Sequence, residues 1–302
     1  MIERRLFLAA SAALTALPRF AFAQTSRTTL GGSAMQGGLA VGKTEAGAAI
    51  MLDGKPLHVS PVGDFAFGFS YDQKTPSVLA ARYADGLTET RDVTPAVRQY
   101  EIQSITGLPP KFVQPSPEDE ARIKAEHARL AEARTRDSDA TWFATPLDWP
   151  AKGIISGVFG SQRILNGVPS APHFGVDIAG GESASIHAPA NATVLMAEDF
   201  FLEGGFTLLD HGHGVFTEYL HQSKFLVKAG DTVARGQQIG NIGHTGRATG
   251  PHLHWGVKLN GARVNPYSLL DLPFKNGTAP AATAATPTSE ATPNPQAVPV
   301  KE

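Results

Sequence analysis

Two histidines separated by one leucine sit in "RATGPHLHWGV", residues 247–257. An extended strand points residues i and i+2 to the same face, so His252 and His254 look at one spot. Two other stretches carry related groups. "PHFGVDIAG" places His173 four residues before Asp177, and "VFTEYLHQS" is strand-like and ends on His221. Four extended residues span about 13 Å, too far for His173 and Asp177 to share an ion. Gly175 between them allows a bend. A catalytic zinc site takes three nitrogen or oxygen donors at about 2.0–2.2 Å and keeps a fourth position open. His173, Asp177 and one of His252 and His254 supply three. One carboxylate against a dication leaves net positive charge, which favours ionising a water near neutral pH. The remaining histidines then stand beside the water or a substrate carbonyl, as base or electrostatic stabiliser. These residue types leave open which histidine does which job. An H-x-H pair alone also suits a hydrogen-bonded structural core. Its occurrence with the other two stretches, in a chain without cysteine, favours the metal.

The elements that must position these groups are mainly β. The chain has 302 residues, 31 glycines, 22 prolines, no cysteines and a formal net charge of −2. That balance gives no indication of nucleic acid. The start, "MIERRLFLAASAALTALPRFAFAQ", has a basic n-region at Arg4 and Arg5, an apolar run and a small-x-small site at Ala21–Ala23. It reads as a signal peptide over residues 1–23, sent by the general secretory or the twin-arginine route. The expected location is the periplasm or the exterior, with no stable membrane insertion after cleavage. No other stretch reaches the ~18 apolar residues of a spanning helix.

Residues 24–36 read as a polar linker. Residues 37–106 alternate like a small β-sandwich of immunoglobulin-like type. "IMLDGKPLHV" and "ARYADGLTET" carry hairpin Asp-Gly signals, and "DFAFGFS" puts Phe65, Phe67 and Phe69 on one face. His58 reads as a strand surface residue. Residues 116–137 form a connecting helix, with Ser116 as N-cap and Pro117 first. Its pairs Glu118–Arg122, Glu120–Lys124 and Glu132–Arg136 have the favourable order. The apolar stripe, Ile123 and Leu130 among alanines, predicts a solvated strut with His127 exposed; residues 117–136 are also a surface for a protein regulator. A second β-rich domain covers 142–272. In it, His211 and His213 read as a hairpin tip at the groove edge, and His187 and His244 as loop residues. Residues 273–302, rich in Pro, Ala and Thr, predict a disordered tail.

"HFGVDIAG", "YLHQS" and "GRATGPHLHWGV" resemble, in order and spacing, the three motifs of the lysostaphin/LytM-type zinc metallo-endopeptidases. The resemblance covers roughly residues 150–270. It implies an antiparallel β-sheet catalytic domain of duplicated hybrid motif type with an open groove. By position, His173, Asp177 and His254 resemble the ligands of one Zn2+ per chain, and His221 and His252 the catalytic histidines. It implies hydrolysis of peptide cross-links in peptidoglycan, either a D-alanyl–diaminopimelate bond or a glycine bridge. Some relatives are instead non-catalytic activators of peptidoglycan amidases; the presence of every ligand position here favours catalysis. A third expectation, wall binding by the N-terminal β-domain, is compatible with hydrolysis.

Overall fold

The computed structural model describes residues 26–270. The signal-peptide reading of residues 1–23 and the tail reading of 273–302 lie outside the described residues. Seven strands build an N-terminal module: β1 (Thr29–Gly32), β2 (Leu39–Lys43), β3 (Ala49–Leu52), β4 (Lys55–Pro56), β5 (Asp64–Gly68), β6 (Ser77–Arg82) and β7 (Thr88–Val93). They form two antiparallel sheets, ordered β1-β2-β5 and β4-β3-β6-β7. Asp53 (φ 50°) and Gly54 (φ 76°) make the tight turn from β3 to β4, in the positive-φ conformation that Asp-Gly tolerates. Phe65, Phe67 and Phe69 enter one core with Leu30, Ile50, Leu79 and Tyr83. Part of the expected linker is therefore structured. Residues 29–32 pair with β2, Leu30 is buried, and the Thr28 hydroxyl meets those of Thr44 and Tyr83.

β8 (Ile102–Ile105) leaves this module. Expected at its end, it instead pairs parallel with β10 (Gln162–Leu165), which pairs with β11 (Val168–Pro169). Helix α1 (Pro117–Ala133) follows, with the Ser116 Oγ accepting from the Asp119 N–H at 3.1 Å. Ten further strands form the main antiparallel sheet: β9 (Ile154–Gly157), β12 (Gly175–Ala179), β13 (Ser185–His187), β14 (Ala192–Phe200), β15 (Gly204–Asp210), β16 (Val215–Phe225), β17 (Thr232–Val233), β18 (Gln238–Ile242), β19 (Leu253–Leu259) and β20 (Ala262–Val264). The central order is β17-β14-β15-β16-β19-β12-β9. A short helix, α2 (Tyr267–Leu270), closes the described chain.

β15 is buried at every position because both faces of the sheet are covered. Leu209 joins the main core with Val176, Trp255 and Leu259. Phe206 and Leu208 face the other way, into a cluster with Phe200, Phe216 and Leu130 of α1. The expected solvated strut is thus a cap on the sheet. Leu130 is only 3% exposed. The charges serve the same docking. Buried Glu126 accepts from the Phe201 N–H at 2.8 Å, Arg134 pairs with Glu218 at 2.5 Å and Arg136 with Asp210 at 3.2 Å. On the helix surface Arg122 pairs forward with Glu126 rather than back with Glu118. His127 is exposed as expected, with its Nε2 3.1 Å from Glu203.

The two modules share a core. Leu39, Val41 and Ala66, on the outer faces of β2 and β5, belong to the main apolar cluster. Two histidines, His58 and His213, are redirected by this contact. His58 stacks on His213 with ring centroids 3.8 Å apart, and its Nδ1 lies 2.6 Å from Asp137. His213 and His211 are buried at the β15–β16 turn, at the opposite end of β16 from His221, so they do not form a groove edge. His211 places Nδ1 2.9 Å from the Asn191 carbonyl and Nε2 2.8 Å from the Thr217 hydroxyl. His187 ends β13 rather than sitting in a loop, and exposed His244 meets Glu182.

Leu130→Ala is expected to lower unfolding free energy by about 2–5 kcal/mol, read from urea midpoints, where a solvated strut gives little change. Burial pushes the His211 pKa down to about 4 from 6.5. The unfolded chain therefore binds more protons between these values. His211 contributes stability that is present above pH 6.5 and lost as pH falls to about 4, at about 3 kcal/mol. His211→Gln is expected to flatten that part of the pH–stability curve in denaturant titrations.

Candidate functional site

Three adjacent strands hold the site. Across β12 and β19, Asp177 stands opposite His254; across β19 and β16, His254 stands opposite Leu220. His173 precedes β12, and its N–H donates to the Ser161 carbonyl at 2.8 Å. Gly175 works by closeness rather than by a bend. A Cβ there would collide with the His254 ring and the Trp255 carbonyl, and its φ is not in the left-handed region. Gly157 on β9 similarly leaves room for the Asp177 carboxylate.

His173 Nε2, Asp177 Oδ1 and His254 Nδ1 meet pairwise at 2.9, 2.8 and 2.9 Å. The hydrogen inventory of this triangle is unusual. His173 Nδ1 faces the Val158 carbonyl at 3.0 Å, and only a donated proton makes that a bond. In the neutral ring Nε2 then carries a lone pair. It faces a carboxylate oxygen, also an acceptor, and the His254 nitrogen. Whatever the His254 tautomer, the His173 lone pair and the carboxylate oxygen repel in a buried site unless a cation sits between them. Two imidazoles and one carboxylate form a donor set suited to a divalent metal such as zinc, and the residues fit that group. Among the described residues, His173, Asp177 and His254 are the group of three such donors gathered within 4.8 Å.

His252 and His221 stand beside the triangle. His252 precedes β19, and its Nε2 lies 3.8 Å from Asp177 Oδ1. His252 and His254 thus do address one spot, at different distances. The rings of His221 and His252 are 4.7 Å apart. Each places Nδ1 on a backbone carbonyl, His221 on Thr245 at 2.8 Å and His252 on Gly250 at 2.9 Å. With those protons donated, each Nε2 is left free as an acceptor.

β16 does not end at His221 as the residue pattern suggested. It continues to Phe225 but changes partner there, from β19 to β18. Its register against β15 slips by one residue over Tyr219–Gln222, a bulge containing His221. His221 has φ 66°, a conformation that costs a non-glycine residue about 1–2 kcal/mol. Bulges re-aim a side chain that the pleat would send to the other face, and this one delivers the ring to the site.

Burial acts strongly here. It opposes the charge on Asp177, but a proton on His173 or His254 outweighs it and holds the carboxyl well below its usual range. Burial pushes His254 down to about 4 and, with His252 and His254 adjacent, His221 well below 6.5. Both rings are neutral at neutral pH, as metal ligation or base chemistry requires. One residue of this site escaped the sequence reading. Arg163 on β10 places Nη2 2.5 Å from Asp177 Oδ2, the oxygen turned away from the triangle. Nothing in "GSQRILNG" signals that role; only the fold brings β10 to β12.

An antiparallel sheet carrying a two-histidine, one-aspartate donor set defines the class of this protein. Residues 171–266 match Peptidase family M23. A Pseudomonas aeruginosa crystal structure assigned to peptidase M23 is 32% identical, with TM-score 0.62, over 79% of this chain and 95% of that one. The chain belongs to peptidase family M23. It is also similar to two Vibrio cholerae proteins, the peptidoglycan DD-endopeptidases ShyA and ShyB. Identity is 42% over 122 residues of ShyA, 40% of this chain and 28% of that one. It is 30% over 156 residues of ShyB, 52% of this chain and 36% of that one. The match thus spans roughly a third of these relatives or less.

The bulge makes a specific prediction. His221→Gly is expected to unfold at higher denaturant than His221→Ala, by about 1 kcal/mol, because glycine adopts the left-handed conformation freely. Equal midpoints would mean that the bulge relaxes when the ring is removed.

Proposed function

We propose that the protein is a zinc-dependent endopeptidase that hydrolyses peptide cross-links of peptidoglycan. The observation that carries this reading is the buried convergence of two imidazole nitrogens and a carboxylate oxygen beside two histidines with free Nε2 lone pairs. The similarity to named peptidoglycan endopeptidases supports the substrate class. His173, Asp177 and His254 would hold the ion. Zinc bound there supplies Lewis acidity toward a scissile carbonyl and lowers the pKa of water. His221 and His252 do the proton work. A neutral Nε2 takes the proton of the attacking water, and the resulting imidazolium then donates to the leaving nitrogen or the developing oxyanion. The backbone carbonyls of Thr245 and Gly250 hold both rings in the required tautomer.

The signal-peptide reading of residues 1–23 fits a substrate outside the cytoplasmic membrane. Among the described residues, no helix is long and apolar enough to cross a membrane. In this reading the N-terminal module is an immunoglobulin-like accessory, a reading supported by its sheets of three and four strands. An amidase-activating role is less well supported, because the donor set is complete and the apolar side of α1 lies on its own sheet.

Purified peptidoglycan incubated with the zinc-loaded protein should release cross-link-cleaved fragments in mass spectrometry. A chelator should stop this and added zinc restore it; unaltered fragments with zinc present would overturn the reading. His254→Ala is expected to lose both bound zinc and turnover. His252→Ala should retain zinc in metal analysis while kcat falls about 10²–10³-fold.

A further inference from the structure

A cleft of about 310 Å³ opens on one side of the metal centre, lined among others by Asp177, His252, Arg163, Arg247, Ile105 and Leu108. Its two arginines are not fully used by the protein. Arg163 ties one Nη2 to Asp177, while its Nε is buried without a hydrogen-bond partner. Arg247 is half-buried in the loop before the H-x-H pair. Its backbone N–H donates to the Leu202 carbonyl at 2.8 Å. Among the described residues, its guanidinium has no hydrogen-bond or ion-pair partner. Burial and the neighbouring charge of Arg163 both disfavour its positive charge, and Glu203 only partly offsets them. The Glu203 carboxylate itself is taken by His127 of α1, at 3.1 Å. Two guanidinium groups held close together at a cleft wall, with donors to spare, lack an anion.

The rest of the cleft says which anion. Beside Arg163, the same face of the β8–β10 pair carries Leu165 and Ile105, and Leu108 follows β8 in the lining. An aliphatic group ending in a carboxylate matches apolar side chains beside an arginine, and a planar carboxylate matches the bidentate fork of arginine. Of the two histidines assigned to proton transfer, His252 lines this cleft and His221 does not. An occupant therefore lies on the side where His252 can protonate a leaving nitrogen.

We infer that this cleft is a carboxylate subsite, in which Arg247 and Arg163 bind a free carboxylate on the carbon that bears the leaving nitrogen of a peptide substrate. The inference rests on the peptide-hydrolase reading above and specifies its substrate. Such a carboxylate comes from two sources: a peptide C-terminus, or the second carboxyl of a diamino diacid joined through its side-chain amine. The shared chemistry separates both from glycine or lysine cross-links, in which that carbon carries no carboxylate in mid-bridge.

The test uses the full zinc-loaded chain and four synthetic peptides. Two are cross-linked dimers, with the relevant carboxylate free or as its carboxamide. Two are linear peptides ending in D-alanyl-D-alanine, as free acid or amide. The expected result is a kcat/KM at least about tenfold higher for free acid than for amide, in the dimers, the linear pair or both, as losing a charged hydrogen bond implies. The pair showing it identifies the source. In Arg247→Ala the acid-to-amide ratio should fall close to one, and Arg247→Lys should give an intermediate ratio. A wild-type ratio near one in both pairs, or a ratio retained in Arg247→Ala, would overturn the inference. If the wild type cleaves none of the four, the hydrolase reading fails separately. The subsite is then read from dissociation constants of the same peptides by calorimetry: tenfold tighter binding of the acid upholds it, and equal binding overturns it.

Discussion

The structure depends on an electrostatic demand at its centre. Two imidazole nitrogens and a carboxylate oxygen, with at most one proton among them when both rings are neutral, are brought within 2.9 Å of one another where water is largely excluded. Left alone, the His173 lone pair and the carboxylate oxygen repel; with a cation among them all three bind. What makes the demand unavoidable is register. Asp177 and His254 face each other across β12 and β19, and the Val158 carbonyl fixes the proton of His173 on the far side of its ring. Arg163 then takes the second carboxylate oxygen, so Asp177 offers one oxygen to the centre rather than two.

Holding three strands in that register needs a sheet that cannot slip. It is covered on both faces, so a one-residue shift would swap two apolar sets between cores shaped for the other. On one face lies the main core, which reaches into the N-terminal module through Leu39, Val41 and Ala66. On the other lies α1, whose single well-buried leucine fits among three phenylalanines and Leu208. Just past α1, the ion pairs of Arg134 with Glu218 and Arg136 with Asp210 fix its placement along β15 and β16, the strands that lead to His221. The module and helix are therefore part of the support of the site. The segment between them adds β8 beside β10 and so supplies a wall of the cleft.

Much of this was legible in local patterns. Alternation over "DFAFGFS" placed three phenylalanines in one core, and Asp-Gly marked two hairpins, since these depend on neighbours along the chain. The helix start followed from Ser116 and Pro117, because capping is local too, whereas the helix ends at Ala133, short of the expected residue 137. The docking of α1 was not legible, because its apolar stripe is thin and its partner surface lies about seventy residues away on β14–β16. His58 and His213 read as surface and turn residues, and each is right locally; their stacking exists only because two modules meet there.

By itself the sequence determined the chemistry available: which residues can hold a metal, that none of them is cysteine, and that an H-x-H on a strand presents two rings to one place. Those are properties of residue type and of a two-residue period. Tertiary structure decided the division of labour. His254 joins the triangle while His252 stays 3.8 Å from the carboxylate, because strand register sets their distances. His221 reaches the site through a bulge that no local pattern announces. Arg163 and Arg247 become neighbours across 84 residues of chain only once the sheet closes, because long-range pairing, rather than local preference, fixes which side chains share a cleft.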